Sequence, residues 1–207
     1  MTTLTDVILA AFIFNWYLQL RKLNGESGTR KLLLRHFLFL SIATFLGGVM
    51  GHGFLYVFGP YGKLPGFALS IIAVFMLELA VIRLSGSHLK PGFYRALYSL
   101  ALAISLSCLT LSFWSPKFVW VAFQSTFGLL FVTGGLSWMM IRKRIFRDAF
   151  VQIWRGIAFS IAAALVFAFR YDFHVWFNHK DFSHIFLILS SWFIFKGAKN
   201  LLENTKG

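Results

Sequence analysis

The chain has 207 residues, of which 58% are hydrophobic and only 13% charged, and its mean hydropathy is +0.72. A soluble domain carries roughly 25% charged residues because its surface faces water, so this composition excludes a water-soluble globule. The net charge of +13 would suggest nucleic acid in a soluble protein. In a chain built for lipid it reads as topology, since Lys and Arg collect in cytosolic loops, and the expected surroundings are membrane lipids, with no nucleic acid.

Seven apolar runs occur in chain order, about 5–20, 33–56, 66–82, 96–113, 118–141, 151–169 and 182–201. A run of about 20 such residues is what a helix needs to cross a hydrocarbon core. The first run could be mistaken for a signal peptide, but residues 1–6 carry no basic residue and Arg21, Lys22, Arg30 and Lys31 come after it. That order reverses a cleavable signal and predicts a first helix inserted with its amino end outside. The connections are short, so residues 1–207 read as a single domain, an all-α bundle of seven transmembrane helices.

Seven crossings sort the basic residues. Arg21, Lys22, Arg30, Lys31, Arg35, Arg83, Lys90, Arg95, Arg142, Lys143, Arg144, Arg147, Arg155, Lys196, Lys199 and Lys206 fall on one side, and only Lys63, Lys117, Arg170 and Lys180 on the other. The rule for loop charges puts the sixteen in the cytosol, with the amino terminus outside and the carboxyl terminus inside, as in a bacterial inner-membrane protein. Tryptophans agree, because indole prefers the interface: Trp16, Trp138 and Trp154 lie near inner ends, and Trp114, Trp120 and Trp176 near outer ends. Trp192 is mid-span. The lone Cys108 sits in an apolar run and allows no intrachain disulfide.

With orientation set, the polar residues cluster. His36 and His88 fall on the cytosolic side, whereas His52, His174, His179 and His184 fall at or near the outer face, as do Asp6, Asp172 and Asp181. Ionisable groups at membrane depth are costly and face a bundle interior or a wet cavity. The densest stretch, Asn178-His179-Lys180-Asp181-Phe182-Ser183-His184, opens the seventh span, and Asp181 shares a helix face with His184. His52 lies in Gly47-Gly48-Val49-Met50-Gly51-His52-Gly53, whose glycines let another helix or a ligand approach the backbone. Imidazoles with a carboxylate suit Zn²⁺ with an open position for water; the expected metal ligands are His52, His179, His184 and Asp181. The plainer reading is that Asp181 caps the seventh helix and the histidines bond water and carbonyls. Glu78 and Lys196, each about 18 Å from the outer surface at 1.5 Å per residue, form a second expected constellation, either paired directly or with Lys196 snorkelling to the cytosolic interface. No phosphate-binding glycine loop, CxxC pair or GxSxG elbow is present.

A histidine late in span two and a histidine cluster opening span seven resemble the alkaline ceramidase and progestin/adipoQ-receptor superfamily of seven-helix membrane hydrolases. That resemblance implies a zinc ion held by His52, His184 and His179, and hydrolysis of lipid amide or ester bonds at the outer leaflet. Asp181 and Asp6 are then the candidate catalytic carboxylates, and the 26 phenylalanines candidate lining for acyl chains. Departures are visible: the seventh-helix histidines are five apart with Asp181 between them, where the family has four. Gly48 stands where it has serine, and the family's aspartate just beyond the second-helix histidine has no counterpart near Lys63. Two rival readings are a non-catalytic carrier or accessory subunit and a retinal-binding protein using Lys196. Against the latter, Lys196 is close to the cytosolic end and the sixth span lacks the expected aromatic and proline pattern. The charge count makes its own prediction. A fluorescent protein fused after residue 207 should fluoresce from the cytosol, and an alkaline phosphatase fused there should be inactive; an active phosphatase would invert the topology.

Overall fold

The computed structural model describes residues 1–24, 27–170, 172, 174 and 177–204. Seven helices are long and apolar enough to cross a membrane, the mark of an integral membrane protein. Helix α1 (Thr2–Arg21) is followed by α2 (Ser27–Gly48), which runs on into a π-helical turn, Val49–Gly53. A short α3 (Leu55–Phe58) and a 3₁₀ turn (Gly59–Lys63) lead into α4 (Leu64–Ser85), and a second 3₁₀ turn (Gly86–His88) precedes α5 (Pro91–Trp114). The fifth span is composite: α6 (Phe118–Ser125), a π-helical stretch (Thr126–Gly134) and α7 (Gly135–Arg142). Helices α8 (Arg147–Phe169) and α9 (His179–Asn204) complete the bundle. Among the described residues the only β pairing is an isolated bridge between His174 and Phe177.

Helix starts and stops follow local chemistry. Pro60, Pro65 and Pro91 sit in first turns, where a missing N–H costs no hydrogen bond. The α7–α8 connection turns through Arg144 and Phe146, and α8 ends at Arg170, all with positive φ. The helices overrun several apolar runs by about a turn: α4 ends at Ser85 and α8 begins at Arg147, because backbone hydrogen bonding continues to the cap and long basic side chains reach the interface from inside a helix. The second run departs most from expectation. It is no uniform helix over 33–56, for the α-helix stops at Gly48, where glycines weaken regular winding.

The bundle is apolar outside as well as within. Leu9, Ile13, Leu33, Leu77, Val81, Phe150 and Leu201 share one buried cluster, but so do polar residues lie buried: Asp6, His36, Glu78, Gln124 and Asp181. Outside, Phe12, Phe45, Phe113, Phe131 and Phe169 are exposed. These phenylalanines face the surroundings and line no interior acyl pocket. Trp16 also departs from expectation: it is buried and stacks on Phe195 of α9. Trp138 does lie at the surface, with the Arg142 guanidinium over its ring. Trp176 and Lys206 lie outside the described residues.

Helices α8 and α9 interlock through two glycines. A Cβ on Gly156 would meet Ile194 Cγ1 at 2.6 Å and the Ser190 carbonyl oxygen at 2.8 Å; one on Gly197 would meet Ile153 Cγ1 at 2.6 Å and the Ala149 carbonyl oxygen at 2.8 Å. Each glycine thus lets the other helix's backbone approach, the small-residue packing that joins helices where no hydrophobic effect operates between them. Gly156→Val or Gly197→Val should overpack this seam and destabilise the protein by about 1–3 kcal/mol, read as a lowered thermal midpoint in detergent. Gly135→Val, where a Cβ meets nothing, should leave the midpoint in place.

Candidate functional site

Where α1 and α9 begin and α2 breaks into its π-helical turn, ionisable side chains converge. Asp6 comes from the second turn of α1, His184 and Asp181 from the first turns of α9, and His52 from the π turn after α2. Close approach of α2 to α1 depends on Gly48: a Cβ there would collide with the Asp6 side chain. The space that a Gly48 side chain would need is occupied by the Asp6 side chain from the neighbouring helix. The π turn adds its extra residue just before His52, re-aiming side chains as such turns often do at functional sites.

Asp6 is the hub. Its Oδ1 lies 3.2 Å from His184 Nε2 and its Oδ2 3.9 Å from His52 Nε2. The residue is 7% exposed, and Oδ2 is buried with no hydrogen-bond partner.

On the far side of His184, its Nδ1 lies 2.8 Å from the Thr5 hydroxyl oxygen, which is itself 2.9 Å from Asp181 Oδ1 and 2.9 Å from the Thr2 carbonyl. A hydroxyl has one proton. Both the carboxylate and the carbonyl are acceptors, so that proton goes to one of them and His184 Nδ1–H donates to Thr5. This tautomer follows from the network. The other ring nitrogen, Nε2, faces Asp6 Oδ1 at 3.2 Å, and two acceptors at that distance need a proton, on the ring or on the carboxyl, or a cation between them.

Asp181, fully buried, also has a capping role. Its Oδ2 accepts the Asn178 backbone N–H at 3.1 Å, while Asn178 Oδ1 accepts the N–H groups of Lys180 at 2.9 Å and Asp181 at 3.4 Å. This is the reciprocal capping arrangement of a helix start. The capping reading of Asp181 has a physical basis, and its other oxygen contacts the Thr5 hydroxyl that also meets His184.

The four expected metal ligands are not gathered as a set. His179 turns away: its Nδ1 lies 2.7 Å from Asp172 Oδ1, and its backbone N–H donates to the same oxygen at 2.8 Å. Those contacts, the backbone N–H first and then the ring, hold the exposed Asp172 carboxyl below the usual carboxylate range. The five-residue spacing is the cause, since residues five apart do not share a helix face. Asp181 stands behind His184 rather than beside His52. Among the described residues, no group of three or more His, Cys, Asp or Glu side chains is arranged so as to hold a metal ion. Asp6, which sequence reading held only as an alternative base, occupies the centre, and its signal was legible as an acid inside an apolar run. Thr5 and Asn178 had no such signal.

The second expected pair is not formed. The Lys196 ammonium lies 3.7 Å above the Trp192 ring centroid, one turn back on α9, and Glu78 accepts from the Gln124 amide at 2.8 Å. His36, expected in the basic region, is buried and bonds the Ala73 carbonyl through Nδ1 at 2.8 Å.

Thr5 carries a sharp expectation. Thr5→Val leaves His184 Nδ1 and Asp181 Oδ1 facing an apolar group and should cost about 1–3 kcal/mol, whereas Thr5→Ser should retain near wild-type stability; both are read by thermal unfolding in detergent. Equal stability of the two variants would remove Thr5 from the network.

Comparison with known proteins places residues 1–203 in the family described as "Family of unknown function (DUF6962)". No characterised protein and no solved structure matches.

Proposed function

The chain belongs to that family, whose description states no activity, so function is inferred from its own geometry: we propose a zinc-dependent integral-membrane hydrolase acting on lipid amide or ester bonds. Its centre is Asp6, His184 and His52. The observation that carries this reading is the buried, unpartnered Asp6 Oδ2 beside two imidazole nitrogens. Zinc bonds of about 2.0–2.1 Å in a tetrahedral shell set neighbouring donors about 3.3 Å apart. The Asp6–His184 edge, at 3.2 Å, matches that spacing; the Asp6–His52 edge, at 3.9 Å, has to close by roughly half an ångström. Carboxylate with two imidazoles is a donor set that zinc favours and that leaves a position open for water.

Each protein group then has a task. Asp6 and His184 hold the ion between α1 and α9. Asp181, through Thr5, keeps the His184 proton on Nδ1 so that Nε2 stays free to ligate, a common arrangement behind metal-bound histidine. His52, the more exposed of the two imidazoles, would be the third protein group on the ion. A bound zinc ion supplies an acidified water and polarises a carbonyl. Lys63, folded against Gly51 beside His52, and Lys180 on the first turn of α9 give the rim a positive charge that suits lipids with anionic headgroups.

In this reading the site lies near the outer face of a bacterial inner membrane, since the loop-charge rule puts the opposite, basic end in the cytosol. Substrate lipids reach it from the outer leaflet. A second reading rests on the 3.2 Å Asp6–His184 contact itself: protonated His184 forms a plain ion pair with Asp6, and the chain is a non-catalytic membrane module.

Elemental analysis of detergent-purified protein separates the two. Wild type should carry stoichiometric zinc, Asp6→Asn and His184→Ala should lose it, and His179→Ala should keep it. Zinc-loaded wild type should then release fatty acid from a panel of amide- and ester-linked lipids. A folded wild type that remains metal-free after zinc dialysis overturns the hydrolase and leaves the module.

A further inference from the structure

A second polar centre lies inside the bundle, remote along the chain from the histidines. Glu78 of α4 and Gln124 of α6 are each 0% exposed, and Ser105 of α5 is buried beside them. The Gln124 amide donates to Glu78 Oε1 at 2.8 Å and to the Ser105 hydroxyl at 3.3 Å. Both of its N–H groups are thereby used. Glu78 Oε2 and Gln124 Oε1 are left buried with no hydrogen-bond partner, two oxygens on adjoining side chains and no donor for either. From the ends of α4, Glu78 is roughly 20 Å from Leu64 and 10 Å from Ser85 along the axis. An uncompensated carboxylate at such depth costs several kcal/mol, and the expected ammonium of Lys196 is over Trp192 instead.

The backbone is shaped around this carboxyl. Gly128 lies so close that any Cβ would overlap Glu78 Oε1, and it belongs to the nine-residue π-helical stretch Thr126–Gly134. Such stretches are strained and recur at functional sites. A purely structural Glu–Gln hydrogen bond needs neither the wide turn nor the vacant Cβ.

Further along the same elements, toward the basic end, three more buried hydroxyls lack partners: Thr133, Ser137 and Ser85. Thr133 and Ser137 are four apart on one face of the fifth span. Glu78 and Ser85 are seven apart on one face of α4, and α4 packs on both the π stretch and α7. The unsatisfied oxygens of Thr133, Ser137 and Ser85 thus all lie on mutually packed elements, on the side of Glu78 toward the basic helix ends. Unpaired polar atoms inside a protein are rare and call for an explanation such as an ion or water.

We propose that Glu78, Gln124 and Ser105 form an exchange site for one monovalent cation, a proton or Na⁺, reached from the basic end of the bundle along Thr133, Ser137 and Ser85. The carboxyl supplies the charge, Glu78 Oε2 and Gln124 Oε1 are the open acceptors, and the cation neutralises a group that lipid surroundings cannot. The titratable group that faces Glu78 from a neighbouring helix is Cys108 of α5, one turn from Ser105; His36 of α2 bonds the Ala73 carbonyl instead. α6 and α7 bring no acidic side chain, so the exchanged charge belongs to Glu78.

Dicyclohexylcarbodiimide, an apolar reagent that modifies a carboxyl only in its protonated form, tests this on the full chain in detergent and in proteoliposomes. Modification of the Glu78 peptide, tracked by mass spectrometry, should fall at least tenfold as pH is raised. Suppression by added Na⁺ at constant pH identifies sodium as the cation; indifference to Na⁺ identifies the proton. Gln124→Leu and Ser105→Ala should shift the midpoint of the pH profile while the protein stays folded, and Thr133→Val with Ser137→Ala should slow labelling. Modification that is flat with pH and Na⁺ overturns the proposal, as does a Glu78 that never reacts in the folded protein yet reacts in the unfolded chain. Loss of zinc from the histidine site leaves these outcomes unchanged.

Discussion

Lipid offers no hydrogen bonds, so every polar group drawn into this bundle has to find its partner within the protein. The buried carboxylates of Asp6 and Asp181 show what that constraint does. Asp181 is satisfied by the Asn178 backbone and by the Thr5 hydroxyl, and Thr5 in turn holds His184. A four-member string from α1 and α9 thus binds the start of the chain to the start of the last helix. Asp6 is satisfied on one oxygen only. The site's chemistry grows from that remainder, because the helices come together around a charge that they leave half answered.

Glycine makes this geometry accessible. Gly48 admits Asp6, Gly128 admits Glu78, and Gly156 and Gly197 admit the opposing backbones of α9 and α8. In three separate places the same device lets helices pack more closely than side chains would permit, and at two of them the space is given to a carboxyl. Both carboxyl sites also sit at π-helical departures from regular winding. A wide turn rotates the half of a span beyond it relative to the half before it. One span can then serve a core seam on one part of its length and a polar centre on another.

Of the side chains expected from sequence to share one site, the structure brings only some together. His52 and His184 approach one carboxylate, that of Asp6, at 3.9 and 3.2 Å. His179, the other histidine of the expected set, is not beside them. With the histidines five residues apart, His179 rotates off the shared face and pairs with Asp172, and the carboxylate beside His52 and His184 is Asp6 of span one. Asp6 can reach both imidazoles because α1 packs against α2 with its π turn on one side and against α9 on the other.

Sequence alone determined the seven crossings, their approximate bounds and the uneven distribution of charge, because hydropathy and loop composition are properties of continuous stretches of chain. It also marked Asp6, His52, Asp181, His184 and Glu78 as costly residues in apolar surroundings. Partners were another matter. Whether Glu78 meets Lys196 or Gln124, whether Trp16 faces an interface or Phe195, and whether His179 or Asp6 joins His184 depend on helix rotation and crossing. Those are set by glycine contacts and π-helical turns between segments far apart in the chain, and only the tertiary structure decided them.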